Sequence, residues 1–121
     1  MKIICVGRNY VKHIEELKNV VLKEPAIFLK PETALLGPGS DFEIPGFSNN
    51  IHHEIELVLK VGQKAKNIPG EKALDIISEI TVGIDFTARD VQDKLKGKRI
   101  SWELAKAFDG AAAVGDWKPL K

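Results

Sequence analysis

Polar and apolar residues alternate along 52–59, His-His-Glu-Ile-Glu-Leu-Val-Leu. A period of two marks a strand with unlike faces, so His52, Glu54 and Glu56 share one face and His53, Ile55 and Leu57 the other. A second alternating run, 81–86, turns Val82, Ile84 and Phe86 one way and Gly83 and Asp85 the other. Residues 2–6 are a short β-branched run that predicts a buried strand, and 26–30 predict a strand halted by Pro31. A turn at 36–40 leads into a predicted short strand at 41–44. Helical spacing appears at 10 to about 18, with Asn9 as N-cap and Tyr10, Ile14 and Leu17 as the packing stripe. Residues 71–79 predict a helix with Ala73, Ile76, Ile77 and Ile80 on the apolar side. Thr87 reads as the N-cap of a short helix, and 101–106 as another helical turn. The basic stretches 62–69 and 94–99 read as loops over solvent, and 111–114 as small residues suited to close backbone packing.

Composition narrows the function classes. The chain has 121 residues, 44% hydrophobic and 29% charged, which suits one compact domain over 1–121 and argues against disorder. The formal charge of +1 is scattered, without a basic patch interleaved with aromatics, so nucleic acid is not an expected partner. No apolar run reaches a membrane span, and the opening residues lack a signal-peptide cleavage site. Cytoplasm is the expected location. The single cysteine, Cys5, forms no internal disulfide, and no Cys/His metal spacing is present. The last residues, 115–121, carry no helix stop or polar tail and read as interrupted.

The chemistry begins with the acids. Two carboxylates at alternate positions of one strand repel unless a cation or proton lies between them, and a hard divalent ion with oxygen ligands is the natural cation. If the strand at 81–86 lies beside the first, Asp85 supplies a third oxygen next to Glu54 and Glu56. His13 and Glu16, three apart on a helix, are either exposed neighbours or a pair in which the carboxylate orients the imidazole. Lys30 is an edge charge or a cation aimed into a pocket. Arg89 and Gln92 share a helix face. Lys106 follows Trp102 by four, so its stem lies along the indole or its ammonium serves a site.

Five pieces together resemble one family. They are Cys5-Val6-Gly7-Arg8-Asn9-Tyr10 with His13, Phe28-Leu29-Lys30-Pro31, His52-His53-Glu54-Ile55-Glu56, the run 85–93 (Asp-Phe-Thr-Ala-Arg-Asp-Val-Gln-Asp), and the run 102–109 (Trp-Glu-Leu-Ala-Lys-Ala-Phe-Asp). In this order and spacing they resemble the fumarylacetoacetate hydrolase family, in its short acylpyruvate hydrolase and oxaloacetate decarboxylase-like branch. The likeness covers nearly the whole chain, which resembles the N-terminal half of that family's catalytic domain. It implies an α+β, mostly β fold, a mixed β-sheet roll of the family's C-terminal-domain type with short helices. It also implies a site for Mg²⁺, with Mn²⁺ or Ca²⁺ in some members, and a homodimer. By resemblance, Glu54, Glu56 and Asp85 match the metal carboxylates, and His13 and Glu16 the dyad that activates a water. Lys106 matches the lysine that stabilises developing charge, while Lys30, Arg89 and Gln92 match positions near the substrate's carboxylate and keto oxygens.

The activity this implies is metal-dependent C–C hydrolysis of acylpyruvate-type 2,4-dioxo acids, through an enolate and a His–Glu-activated water, with oxaloacetate decarboxylation as a related outcome. The alternatives are a 2-hydroxyhepta-2,4-diene-1,7-dioate isomerase or 2-oxo-dienoate hydratase of the same family, and a non-catalytic, metal-stabilised module. Family members run to about twice this length, and the Gly-Thr loop that closes their site has no match in 1–121. Activity of these residues alone is therefore an open expectation.

Overall fold

The computed structural model describes residues 1–18 and 24–120. The strands are β1 (Ile3–Gly7), β2 (Ala26–Lys30), β3 (Leu35–Leu36), β4 (Ile51–Val61), β5 (Ile77–Ala88), β6 (Ala112–Val114) and β7 (Lys118–Pro119). The helices are α1 (Val11–Glu16), α2 (Arg89–Lys98) and α3 (Glu103–Lys106). β1 and β2 form an antiparallel pair, and a larger sheet runs β3-β6-β5-β4 with β7 also on β5. β3 lies parallel to β6 and the other pairings are antiparallel, so the larger sheet is mixed.

The two long alternating strands pair with each other. Glu54 lies opposite Asp85, His52 opposite Thr87 and Glu56 opposite Gly83. This register brings the three acids to one face, as the alternation predicted. It also inverts the usual sidedness of a half-buried sheet. Glu54, Glu56, Asp85 and Thr87 turn inward, while Ile55, Leu57 and Val82 are 59%, 59% and 57% exposed. The β1–β2 pair does the same, leaving Ile4, Val6, Ile27 and Leu29 exposed. Residues 2–6 are thus half-buried rather than the buried strand their apolar run predicted.

The interior is small and partly charged. One cluster joins Ala34, Ala111 and Ala112 to Ile3 and Phe108, and another joins Ala88, Leu95 and Ala105 to Ile51, Val91 and Phe108. Alanines let the backbones approach, and the space left between the sheets is filled by Lys30, Asp85, Thr87, Arg89, Gln92 and Lys106, all buried.

Several local expectations give way to tertiary pairing. Residues 71–79 are helical only in part: a 3-10 helix, Gly70–Ile76, runs into β5 at Ile77, because the β-branched Ile77 and Ile80 pair with β4 and β7. The predicted strand at 41–44 is absent, and those residues lie outside any sheet. Residues 94–98 continue α2 rather than looping, and Arg99 ends it in the left-handed conformation. Thr87 is not an N-cap; it belongs to β5, and α2 starts after Ala88 with no side-chain cap. Tyr10, not Asn9, precedes α1, again with no side-chain cap.

Gly83 is required where β5 meets its neighbours. A Cβ there would lie 2.7 Å from the Ala113 carbonyl oxygen and 2.8 Å from Val58 Cγ2. Gly83→Ala is expected to cost about 1–3 kcal/mol of unfolding free energy through this overpacking, measured by chemical melts. A variant melting with the parent would show that the two strands can part at no cost.

Candidate active site

The site forms where β4, β5, α2 and α3 meet the end of β2. Glu54, Glu56 and Asp85 each place one carboxylate oxygen within 4.8 Å of the others. Lys106 enters from α3 as a fourth member. Its Nζ donates to Asp85 Oδ2 at 2.7 Å, Thr87 Oγ1 at 2.6 Å and Glu54 Oε2 at 3.2 Å. Of the two alternatives for Lys106 the structure shows the ammonium in the carboxylate cluster, 5.2 Å from the Phe28 ring centre, while Lys96 lies over Trp102 at 5.5 Å. Lys30 is no edge charge. It is 2% exposed, with Nζ 2.7 Å from Asp85 Oδ1 and donating to the Ala111 carbonyl at 2.8 Å.

Arg89 approaches from the start of α2, where its amide donates to the Asn50 carbonyl at 2.8 Å. Its guanidinium pairs with Glu54, donates to Gln92 Oε1 and reaches His52 Nδ1 at 3.2 Å. Asp90 stitches this corner together. Its carboxylate accepts from Ser48 Oγ at 2.6 Å, the Asn49 amide at 3.0 Å and the Val91 amide at 2.9 Å, which fixes the start of β4 against α2. His13 stands at the open side, with Nε2 3.5 Å from Glu54 Oε1 and Nδ1 3.6 Å from Glu16 Oε2. That separation exceeds a hydrogen bond, and Glu16 is largely exposed. The structure thus brings all nine candidates (His13, Glu16, Lys30, Glu54, Glu56, Asp85, Arg89, Gln92 and Lys106) to one region, with Glu16 at its rim. His52 shared the strand face of Glu54 and Glu56 in the sequence without a role assigned to it, and Thr87 and Asp90 were given none; the strand register and the helix start place all three here.

Electrostatics separate the three acids. Burial pushes the Glu54 carboxyl up, but Lys106 and Arg89 together outweigh it and hold the group below the usual range. Glu56 is pushed up to about 7 by burial, with Asp85 and Glu54 adding like-charge repulsion. No ion pair or hydrogen bond among the described residues reaches the Glu56 side chain. Asp85 Oδ1, although close to Lys30, has no hydrogen bond of proper geometry. Burial depresses the Lys30 ammonium despite Asp85, and burial followed by Arg89 lowers His52. Burial raises the Cys5 thiol to about 11, so it is protonated at neutral pH and is no nucleophile.

This donor set fits a hard divalent cation. Oxygen ligands around one such ion at about 2.1–2.4 Å stand about 3–5 Å from each other, which three carboxylates within 4.8 Å satisfy. Glu56, without an ion pair or hydrogen bond among the described residues and only partly offset by Lys106 and Lys30, is the ligand that most needs the ion.

Residues 2–120 match the family model described as fumarylacetoacetate (FAA) hydrolase C-terminal. The chain is 42% identical over 117 residues to a Homo sapiens protein named oxaloacetate tautomerase FAHD1, mitochondrial, covering 97% of this chain and 53% of that one. An Arabidopsis thaliana protein of the same name is 47% identical over 118 residues, covering 98% and 53%. Fumarylpyruvate hydrolase from Pseudomonas aeruginosa, solved in complex with Mn²⁺ and pyruvate, superposes with a TM-score of 0.89 at 37% identity, covering 98% and 53%. The 5-carboxymethyl-2-hydroxymuconate delta-isomerase from Mycobacterium smegmatis gives 0.80 at 39% identity, covering 96% and 45%. This chain therefore spans about half the length of these relatives. Among the described residues no helix is long and apolar enough to cross a membrane.

Two substitutions separate the roles of the acids. Asp85→Asn leaves Lys30 and Lys106 without their buried partner and is expected to destabilise the metal-free chain by about 3 kcal/mol. Glu56→Gln removes repulsion from Asp85 and Glu54 that outweighs its attraction to Lys106 and Lys30, so stability should hold within about 1 kcal/mol while Mn²⁺ affinity falls about tenfold or more. Melts and Mn²⁺ titrations read both; an unfolded Glu56→Gln or a fully stable Asp85→Asn contradicts this assignment.

Proposed function

Because the chain belongs to the fumarylacetoacetate hydrolase family, we propose that its site works with a divalent cation to cleave the C–C bond of acylpyruvate-type 2,4-dioxo acids, giving pyruvate and a carboxylic acid. The observation that carries this is the convergence of Glu54, Glu56 and Asp85 within 4.8 Å, with His13 3.5 Å from the first of them. Mg²⁺ is the proposed ion, with Mn²⁺ or Ca²⁺ as substitutes; the Mn²⁺ and pyruvate of the P. aeruginosa relative support both halves of the proposal. The cation, when bound, supplies Lewis-acid polarisation of the carboxylate and keto oxygens of a 2-oxo acid.

The chain's own groups do the rest. Lys106, anchored on Asp85 and Thr87, presents a fixed positive charge where negative charge develops as the C–C bond breaks. Arg89 and Gln92, locked to each other, orient the substrate's carboxylate and keto oxygens. Lys30 holds Asp85 in place through its ion pair. His13 removes a proton from water, and Glu16 beside it steadies the imidazolium that results. With oxaloacetate the same charge stabilisation supports loss of CO₂ without the water. A homodimer is the proposed assembly, supported by the exposed apolar face of β4 and β5.

A second reading has its own support. The relatives named oxaloacetate tautomerase, together with the 3.6 Å gap between His13 and Glu16, favour a base that moves a proton without activating water.

A pyruvate-release assay with acetylpyruvate and oxaloacetate, in Mg²⁺ and in chelator, tests the hydrolase. Turnover of acetylpyruvate should require the metal and fall about 100-fold or more in His13→Ala. Turnover that persists in chelator, or equally in His13→Ala, overturns it. Metal-dependent enol–keto conversion of oxaloacetate without pyruvate release assigns the tautomerase instead.

A further inference from the structure

His52 lines the open side of the site with His13 and Glu54 but has no part in the chemistry above. Its ring is bonded to Arg89, whose Nε–H donates to His52 Nδ1 at 3.2 Å. The backbone builds this contact in. His52 stands opposite Thr87 in the β4–β5 register, two residues before Arg89 opens α2. The Arg89 amide donates to the Asn50 carbonyl at 2.8 Å, and Asp90 accepts from Ser48 and the Asn49 amide. The start of β4 is therefore tied to the start of α2 next to the His52–Arg89 pair.

A guanidinium carries five N–H donors in one plane. In Arg89, which is 6% exposed, Nε donates to His52, one end nitrogen to Gln92 and the other to Glu54. A carboxylate grips a guanidinium with both oxygens either across its side edge, through Nε and an end nitrogen, or across its outer edge, through the two end nitrogens. The bond to His52 closes the side edge.

We propose that His52 is a positioning residue: by accepting the Arg89 Nε–H it fixes the guanidinium plane and leaves only the outer edge to the carboxylate of a 2-oxo acid. This rests on the reading above in which Arg89 orients that carboxylate, and it adds the group that orients Arg89. The imidazole suits the task, because an Nδ1 that accepts carries no proton and the ring keeps its proton on Nε2. An aliphatic residue at 52 would leave a buried, charged donor unbonded, and the guanidinium would turn towards another acceptor. Asn is the conservative replacement, since its side-chain oxygen falls near the place of Nδ1, whereas Leu fills the volume and accepts nothing.

Two readouts test this in the parent, His52→Asn, His52→Leu, Arg89→Lys and the double variant His52→Leu with Arg89→Lys. In the ¹⁵N-labelled chain without metal, the Arg89 Nε–H resonance is assigned by its loss in Arg89→Lys. It should exchange slowly with water in the parent and in His52→Asn, and about tenfold or more faster in His52→Leu. Pyruvate titrated calorimetrically into the Mn²⁺-loaded chain should bind about tenfold more weakly to His52→Leu and within about threefold of the parent to His52→Asn. Mn²⁺ affinity should stay within about threefold in both, since neither removes a carboxylate. With Lys at 89, His52→Leu should change pyruvate affinity by less than about twofold, because the bond it removes is already gone. A residue that only supported the fold would weaken pyruvate in either background alike. Pyruvate affinity unchanged in His52→Leu, no rescue by His52→Asn, or a loss that persists with Lys at 89 overturns the assignment. A parent that binds neither Mn²⁺ nor pyruvate strikes the metal-dependent reading instead, and the Nε–H exchange rates then decide whether His52 fixes Arg89.

Discussion

Three carboxylates turned to one point cannot stand without positive charge, and the arrangement of this chain follows from that constraint. The antiparallel register of β4 on β5 puts Glu54 beside Asp85 and leaves Glu56 facing a glycine. Lys30 and Lys106 then arrive from opposite elements to the two oxygens of Asp85, and Arg89 closes on Glu54. The cations pair directly with two of the acids and reach Glu56 only as weaker, more distant charges. The chain thus supplies a paired frame with Glu56 the least compensated ligand, which leaves net repulsion for an ion to neutralise.

The polar interior has a structural consequence. A sheet with its acids inside presents its aliphatic residues outward, and Ile55, Leu57, Leu59 and Val82 are exposed in this way, as are Ile4, Val6, Ile27 and Leu29 of the β1–β2 pair. The buried apolar side chains are mostly alanine and contribute little area each. Stability of the described residues therefore leans on strand pairing and on buried, satisfied charge more than on a large aliphatic core. The same balance makes the site sensitive to loss of any one partner, because an unpaired lysine or acid in the interior costs more than the pair contributes.

Much of this was legible in the amino-acid order. Alternation at 52–59, strict over 54–57, and at 81–86 identified both strands and the faces of Glu54, Glu56 and Asp85, because a period of two assigns every second residue to one face. The family resemblance, carried by five motifs in register, is borne out by the family match and by the mixed sheet. What could not be read was decided by long-range pairing. Ile77 and Ile80 suit a helix stripe as well as a strand, and only their pairing with β4 and β7 settles it. Lys30 looked like an edge charge because nothing nearby in sequence shows that β2 ends against β5. Thr87 looked like a cap because its partner, Lys106, is 19 residues away.

The direct measurement is anomalous scattering at the manganese edge from crystals of this chain soaked in Mn²⁺. The account predicts one strong peak between Glu54, Glu56 and Asp85, with Lys106 alongside it on Asp85. A map with no peak there, with the Lys106 ammonium alone bridging Glu54 and Asp85, would contradict it.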